Sequence, residues 1–302
     1  MASQQAEAMK DMIRTIGAEL ARAGELSLEE QRANAELFAA ATGDPTGVTW
    51  TTVDAGGIPA IWADPEGGAK DRVLQYVHGG GYIIGSADAY KKLTGHLAKA
   101  IGCRVLNVDY GLAPENPHPG PVNDSFTAYR WLLDQKYEPR HLAIAGDSAG
   151  GGLTLATLLK IRDSGLPQPA AAVPISPWVD MEALGESWTT NAEKDLLVKQ
   201  EALKGMVDMF LAGGDPRDPL AAPLYGDYKG ICPLYIQVGG DEALLDDSTR
   251  VAERARAAGV DVRLEVFPEM QHVFQMAAGN VPEADDAVIK IGAYLGERLR
   301  LR

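Results

Sequence analysis

The most constraining feature of the chain is a repeated alternation of short apolar runs, rich in β-forming residues, with segments of helical periodicity. Six runs are predicted strands, at residues 72–77, 104–109, 141–145, 171–175, 234–238 and 262–267. Helices are predicted between and after them, at 89–101, 122–133, 149–162, 246–258 and 283–299. Apolar strands separated by helices pair in parallel and are covered on both faces. With two earlier strands, at 48–53 and 58–63, the pattern predicts an α/β fold with a mostly parallel eight-stranded sheet flanked by helices.

One interval interrupts this alternation. Residues 176–233 contain no obvious strand, but a helix is predicted at 199–211 and is followed by a stretch rich in glycine and proline at 213–223. A connection of that length is rarely a bare loop. We therefore expect an insertion that packs over one end of the sheet.

Two further helices are predicted before the first strand. The first carries apolar residues at helical spacing: Met9, Met12, Ile13, Ile16 and Leu20. Ser27, with Glu30 three residues later, forms a capping box that begins the second. These helices either pack on the main domain or form part of a cap over a site, and periodicity does not separate the two.

The composition excludes several functional classes. The 302 residues include 42 acidic residues against 28 Lys and Arg, for a formal net charge of −14, and nucleic acids require the clustered cations that this chain lacks. No stretch approaches the roughly 20 apolar residues of a membrane span. Cys103 and Cys232 are too few for a disulfide framework and are expected to be separate reduced thiols. Because the N-terminus lacks an apolar signal core, a cytoplasmic location is expected.

The sequence from Gly146 to Gly150 carries the first sign of chemistry. It reads G-x-S-x-G directly after a predicted strand and before a helix, the context that this motif requires. A serine on that sharp turn projects from the carboxyl edge of the sheet, where ligands bind, and the helix N-terminus favours a developing negative charge. Ser148 is therefore the predicted nucleophile.

The sequence His78-Gly-Gly-Gly-Tyr82 follows the strand at 72–77. Consecutive glycines leave N–H groups unobstructed, as an oxyanion hole requires. Gly79 and Gly80, with Ala149, are the predicted donors. A phosphate-binding loop is the alternative, but neither of the usual phosphate-binding motifs is present.

Five histidines compete for the role of base. His272 alone follows a strand by a short loop at the correct edge, whereas His78 is expected to hydrogen-bond the glycine loop in place. Asp241, after the strand at 234–238, is the predicted orienting carboxylate. Glu242 and Asp246 are neighbours that could substitute for it, and Asp180 is a weaker rival. The chain order Ser148, Asp241, His272 is that of α/β-hydrolases.

Five motifs carry a family resemblance: HGGGY (78–82), DYGLAPE (109–115), GDSAGGGL (146–153), SPWVD (176–180) and GDEALLDDS (240–248). From Val73 onward the chain resembles the hormone-sensitive-lipase family of α/β-hydrolases, also called bacterial family IV esterases. The resemblance implies a carboxylesterase for small esters with Ser148 as nucleophile. It also implies cap helices at 1–45, an α/β-hydrolase domain at 46–181 and 226–302, and a cap insertion at 182–225.

The chain departs from the family in one region. Gly111 stands where the family usually has arginine, and His118 with Gly120-Pro121 replaces an aromatic-Pro-Ala run. That arginine is outside the triad, so the implied reaction class is unaffected. A further resemblance is to bacterial monoterpene ε-lactone hydrolases.

The expected reaction is two-step acyl transfer on short- to medium-chain esters, without metal or cofactor. The residues expected to bind the substrate are Tyr82, Asp147, Trp178, Met206, Phe210, Leu245 and Val273. Hydrolysis of lactones, aryl esters or amides by the same triad is an alternative. A receptor like the plant gibberellin receptors, which resemble this family but lack the catalytic histidine, is a remote one. The only macromolecular partner expected is a second copy of the chain, through the sheet edge near the C-terminus.

Overall fold

The computed structural model describes residues 2–23 and 26–301, without the side chains at 16–23 and 36–39. Its strands are β1 (Val48–Asp54), β2 (Pro59–Pro65), β3 (Ala69–Val77), β4 (Cys103–Val108), β5 (Leu142–Asp147), β6 (Ala171–Ile175), β7 (Leu234–Gly239) and β8 (Val262–Phe267). Its helices are α1 (Gln4–Ala23), α2 (Leu28–Leu37), α3 (Lys91–Ile101), α4 (Gly120–Asp134), α5 (Ala149–Asp163), α6 (Ser187–Thr190), α7 (Gln200–Leu211), α8 (Leu245–Ala257) and α9 (Pro282–Arg298).

The eight strands form one sheet in the order β1-β2-β4-β3-β5-β6-β7-β8. The pairs β1–β2 and β2–β4 are antiparallel, and every other pair is parallel. The prediction of a mostly parallel sheet is therefore confirmed. The carboxyl ends of β3 to β8 lie at one edge, because these six strands run in the same direction.

Helices cover both faces of the sheet. One core cluster contains buried side chains of α4, α5 and α8, and the other contains those of α3 and α9. The strands between them are buried throughout: β5, β6 and β7 have no exposed residue. Burial from both sides explains why these strands lack the alternation of a half-exposed strand.

The predicted capping box begins α2. The Ser27 N–H donates to Glu30 Oε2 at 2.8 Å, and the Glu30 N–H donates to Ser27 Oγ at 3.3 Å. In α1, the predicted apolar positions Ile16 and Leu20 lie outside the described side chains. Ala6 of the same helix is fully buried, in a cluster that contains Phe267 and Met270. The N-terminal helix therefore packs on the loop that follows β8.

The β6–β7 segment, residues 176–233, contains α6 and α7. The helix predicted at 199–211 matches α7, whereas the four-residue helix α6 was not predicted. Leu203, Phe210 and Leu211 of α7 are buried and join the core cluster of α4, α5 and α8. This segment therefore packs on the sheet domain through an apolar helix face.

Cys103 and Cys232 are free and buried, as predicted. Burial raises the pKa of the Cys103 thiol to about 12 and that of Cys232 further still. Neither thiol is positioned to become a reactive thiolate, because desolvation favours the neutral form. No helix in the described part of the chain is long and apolar enough to cross a membrane.

Candidate active site

Ser148, the residue after β5, occupies a strained turn. Its φ of 53° and ψ of −121° place a non-glycine residue in a conformation that costs on the order of 1–3 kcal/mol and persists only when its surroundings hold it. The Ser148 N–H donates to the Ile175 carbonyl, and the Trp178 N–H donates to the Ser148 carbonyl, both at 2.9 Å. The end of β6 therefore holds the turn at the carboxyl edge of the sheet.

Gly150 is required by close packing against the neighbouring strand. A Cβ built on Gly150 would lie 2.7 Å from the His78 carbonyl carbon, closer than real Cβ contacts. The helix α5 can therefore begin directly beside the end of β3 only if this position is glycine.

The segment His78 to Tyr82 lies beside the Ser148 turn. A Cβ built on Gly79 would lie 3.1 Å from Ser148 Cβ. His78 Nδ1 is 2.7 Å from the Gly79 carbonyl oxygen, and its ring stacks on Tyr110 with 4.4 Å between ring centroids. The Tyr110 hydroxyl also donates to the His78 carbonyl at 2.8 Å. These contacts of His78 hold the glycine loop in place, as its position in the sequence predicts.

The three N–H groups predicted to form an oxyanion hole differ in their partners. The Gly79 N–H donates to Asp147 Oδ1 at 3.1 Å. Ala149 is the first residue of α5, so its N–H has no acceptor within the helix. Within residues 2–23 and 26–301, neither the Gly80 N–H nor the Ala149 N–H has a hydrogen-bond acceptor. Two of the three donors are thus free, and the third is engaged.

His272 lies in the loop after β8. Its Nδ1 is 2.8 Å from Glu242 Oε2, and the imidazole is 9% exposed while the Glu242 side chain is fully buried. Glu242 Oε1 accepts hydrogen bonds from the Ser176 hydroxyl and the Gly239 N–H, both at 2.6 Å. The carboxylate that contacts His272 is therefore Glu242.

The expectation that Asp241 orients His272 is corrected by this geometry. Asp241 Oδ2 lies 3.9 Å from the ammonium group of Lys10 on α1. Because the Gly239 N–H binds Glu242 Oε1 across the turn after β7, Glu242 is the side chain that reaches His272. The preceding residue, Asp241, faces the N-terminal helix instead.

The other two carboxylates considered for this role also have other partners. Asp246 Oδ2 accepts the Ser187 N–H at 2.8 Å. Asp180 Oδ2 accepts from Arg250 at 2.7 Å and from the Leu184 N–H at 3.1 Å. Both stabilise the start of the β6–β7 segment and neither is hydrogen-bonded to His272.

The electrostatic surroundings favour a protonated His272. Burial alone lowers the pKa of His272, but the charge of Glu242, the hydrogen bond to it, and the Asp195 and Asp147 carboxylates together raise it above the ordinary value of 6.5. Burial raises the pKa of Glu242, whereas His272 and the hydrogen bond from Ser176 oppose that rise. An imidazolium formed at His272 is therefore stabilised where it forms.

Asp147, predicted to bind substrate, has both carboxylate oxygens engaged by other residues of the protein. This residue is 1% exposed. Its Oδ1 accepts the Tyr76 hydroxyl at 2.7 Å as well as the Gly79 N–H, and its Oδ2 accepts the Tyr90 hydroxyl at 2.9 Å. Burial raises the pKa of Asp147, although these hydrogen bonds oppose the rise. Asp147 ties the glycine loop to the Ser148 turn.

Apolar side chains of the β6–β7 segment lie against the glycine loop. The Tyr82 ring stacks on Phe210 of α7, with 3.8 Å between centroids and 6° between planes, and Trp178 is 6.0 Å from Tyr82. Met206 approaches Gly81 so closely that a Cβ there would overlap its sulfur. Four of the residues predicted to bind substrate are therefore brought together at this loop.

The two remaining predicted substrate contacts lie at other loop ends. Leu245 begins α8, is half-buried, and its N–H donates to the Glu242 carbonyl at 3.3 Å. Val273 is buried beside His272 with a φ of 51°. Its N–H donates to Ser176 Oγ at 3.4 Å. Both are therefore attached to the loops that carry the His272–Glu242 pair.

The region that departs from the family motif is closely packed. Asp124 Oδ2 accepts both the Gly111 N–H and the Asn116 side-chain amide at 2.9 Å. A Cβ on Gly111 would lie 3.0 Å from Asn116 Cβ, so a larger residue here requires Asn116 to move. His118 binds Asp218 at 3.1 Å through Nε2 and packs edge-on against Phe210, in the aromatic stack described above.

Comparison with known proteins identifies the family to which this arrangement belongs. A family model described as the α/β-hydrolase fold matches residues 74–276. A solved structure of an esterase from the bacterial hormone-sensitive lipase family is 43% identical, superposes with a TM-score of 0.95 and covers 99% of both chains. The chain belongs to this family.

Two further relatives agree with the assignment of this chain to the hormone-sensitive lipase family. An acetyl-hydrolase of Streptomyces hygroscopicus is 43% identical over 243 residues, which cover 80% of this chain and 81% of the relative. EstE5, in a crystal structure soaked with p-nitrophenyl butyrate, is 38% identical with a TM-score of 0.93 over 99% of this chain and 100% of its own. The protein is a carboxylic ester hydrolase.

Proposed function

We propose that the protein hydrolyses short- to medium-chain acyl esters through Ser148, His272 and Glu242. The observation that carries the proposal is the pairing of buried Glu242 with His272 at the sheet edge where the strained Ser148 turn lies. A carboxylate bound to one imidazole nitrogen leaves the other nitrogen free to accept a proton from serine. The fold supplies all three groups from neighbouring loops.

In the proposed reaction, Ser148 Oγ attacks the ester carbonyl while His272 Nε2 takes its proton. The tetrahedral intermediate collapses as His272 returns that proton to the leaving alcohol, and Ser148 is left acylated. Water then attacks the acyl group with its proton passing to His272, and the acid is released with Ser148 restored. Glu242 keeps the Nδ1 proton on the imidazole and stabilises the imidazolium.

The proposed oxyanion hole rests on the Gly80 and Ala149 N–H groups, which are free in the resting site. The Gly79 N–H can join them only if it gives up its hydrogen bond to Asp147 Oδ1 and donates to the oxyanion instead. Removing one oxyanion-hole donor from a serine protease costs about 10²–10³ in kcat. The backbone origin of these donors means that no side-chain substitution deletes them directly.

The residues packed beside the glycine loop support a neutral acyl substrate. Tyr82, Trp178 and Phe210 are buried and Met206 is half-buried, so the surroundings of this loop are aromatic and thioether in character and carry no charge. The net charge of −14 also disfavours anionic substrates. The relative named an acetyl-hydrolase and the EstE5 structure soaked with a butyrate ester agree with short acyl chains.

We further propose that residues 1–45 and 182–225 form a cap over this site. Support comes from Arg32 of α2, whose guanidinium donates to the Ile83 carbonyl at 2.9 Å directly after the glycine loop. Support for the second segment comes from Met206 and Phe210, which contact the same glycine loop. The two cap segments, which are far apart in the sequence, would then enclose the acyl group together.

The proposed dimer forms through β8, which ends the strand order. Its outer edge has no neighbouring strand within the described residues, and Val266 is 40% exposed there. An unpaired edge invites pairing with a second copy. Val266→Lys should convert a dimer into a monomer in size-exclusion chromatography with light scattering, and a monomeric wild-type protein would contradict the proposal.

A hydrolysis screen tests the proposed reaction. The wild-type enzyme and Ser148→Ala are compared on p-nitrophenyl esters of increasing acyl length, together with a matched open-chain ester and lactone. Wild-type protein should peak on short or medium chains and bind one organophosphate per chain at Ser148. An active Ser148→Ala protein would refute the assignment of the nucleophile, and a maximum on long-chain esters would refute the acyl range.

A further inference from the structure

The segment from Ile175, the last residue of β6, to Trp178 contacts all three loops that carry the proposed triad. Two backbone hydrogen bonds of 2.9 Å join this segment to the N–H and to the carbonyl of Ser148. The Ser176 N–H also donates to the Gln237 carbonyl of β7 at 2.7 Å. The segment is thus fixed between the nucleophile turn and the strand that leads to Glu242.

The Ser176 hydroxyl makes the remaining connections. It donates to Glu242 Oε1 at 2.6 Å and accepts the Val273 N–H at 3.4 Å. Ser176 is fully buried. A hydroxyl can donate and accept at the same time, so one atom joins the carboxylate to the backbone beside His272.

The backbone of Ser176 is itself unusual. Its φ is 43°, in the left-handed region where glycine is comfortable and other residues are strained. Glycine would relieve that strain but remove the hydroxyl. A serine held here against its conformational preference points to a role for the hydroxyl.

We propose that Ser176 is a positioning residue that fixes the Glu242 carboxylate and the His272 loop relative to Ser148. This inference rests on the proposed triad. Without the hydroxyl, Glu242 Oε1 keeps only the Gly239 N–H, and Val273 loses its acceptor. The carboxylate can then rotate away from the geometry that holds the imidazole.

The test uses Ser176→Gly and Ser176→Ala, with Ser125→Ala as the matched control. Ser125 is fully buried and its hydroxyl also has two polar side-chain partners, Gln75 and Thr157, at 3.1 and 2.8 Å. It lies on α4, away from the triad loops. Both Ser176 variants should lose about 5- to 100-fold in kcat with little change in KM, whereas Ser125→Ala should keep its kcat.

The pH profile separates positioning from general loss of structure. The hydroxyl dipole favours the anionic form of the Glu242–His272 pair, so its removal increases the proton affinity of the pair. The acid limb of kcat/KM should therefore move to higher pH in both Ser176 variants and stay in place in Ser125→Ala. Rates are expressed per site titrated by organophosphate, so that misfolded protein does not enter kcat.

Three results would overturn the inference. Ser176→Gly with wild-type kcat would show that the hydroxyl is dispensable. Loss of kcat in Ser176→Ala alone would point to backbone strain, because glycine tolerates the same φ. An unmoved acid limb would show that the hydroxyl does not act through the pair. Failure of the triad itself is read separately, from activity that survives in Ser148→Ala.

Discussion

Replacing Glu242 by glutamine should leave the fold intact and almost abolish hydrolysis. Glutamine has the same shape but offers one acceptor oxygen and one donor NH₂ in place of two acceptor oxygens. The Gly239 N–H cannot rotate and requires an acceptor at the Oε1 position, 2.6 Å away. The amide NH₂ must therefore face His272 Nδ1 at the 2.8 Å position now held by Oε2.

This orientation forces the wrong imidazole tautomer. Facing a donor, Nδ1 of His272 must accept, so the ring proton moves to Nε2, where it blocks proton transfer from Ser148. The imidazolium also loses its buried counter-charge. A swap of this kind in a serine hydrolase triad costs about 10⁴ in kcat, which corresponds to about 5 kcal/mol of barrier.

The assay compares Glu242→Gln with Asp241→Asn on one p-nitrophenyl ester. The two substitutions are chemically matched and adjacent in the chain. Asp241 lies 3.9 Å from Lys10 and is partly exposed, so its loss should change the free energy of unfolding by less than about 1 kcal/mol and leave kcat unchanged. The reasoning fails if Asp241→Asn is the more damaging change, or if Glu242→Gln stays within about tenfold of wild type.

Further predictions concern pH and stability. The acid limb of kcat/KM should lie above pH 6.5, because the surrounding carboxylates raise the pKa of His272; a limb below 6.5 would contradict this. Burial raises the pKa of Asp247 to about 7, so the folded state retains a proton that the unfolded chain releases near pH 4. The free energy of unfolding should fall from pH 4 to 7, by up to about 4 kcal/mol from this group, and urea titrations of Asp247→Asn should lack that decline. The Arg32 guanidinium donates to the Ile83 carbonyl and also to the exposed Glu115 carboxylate at 2.7 Å. Arg32→Ala leaves the Ile83 carbonyl without this donor and should lower the free energy of unfolding by about 1–3 kcal/mol, whereas Glu115→Ala, which removes only the exposed partner, should have a much smaller effect.

The order of strands and helices could be predicted because strands that are buried on both faces appear in the sequence as nearly continuous apolar runs. Strands such as β6 and β7 contain no exposed residue, so their apolar runs end where the sheet ends. The Ser27–Glu30 capping box was equally readable, since its two hydrogen bonds are local. The four-residue helix α6 has no periodicity long enough to detect.

The choice between Asp241 and Glu242 could not be made from the sequence. Both follow β7 within three residues, and only the path of the turn, closed by the Gly239 N–H, decides which side chain reaches His272. The contacts of Asp147 could not be predicted for a related reason. Its partners Tyr76 and Tyr90 are far away in the chain, and no local sequence pattern predicts these contacts. Ser176 offered one usable signal, its place directly after a parallel strand at the edge where ligands bind.

The two buried thiols, Cys103 and Cys232, give the protein a practical property. Maleimide dyes react with thiolates at the surface, and neither native cysteine offers one. A single engineered cysteine, such as Lys204→Cys on the exposed side of α7, can therefore carry the only label without prior removal of the natural ones. Fluorescence from that position would report whether α7, which packs on the glycine loop, moves during ester turnover.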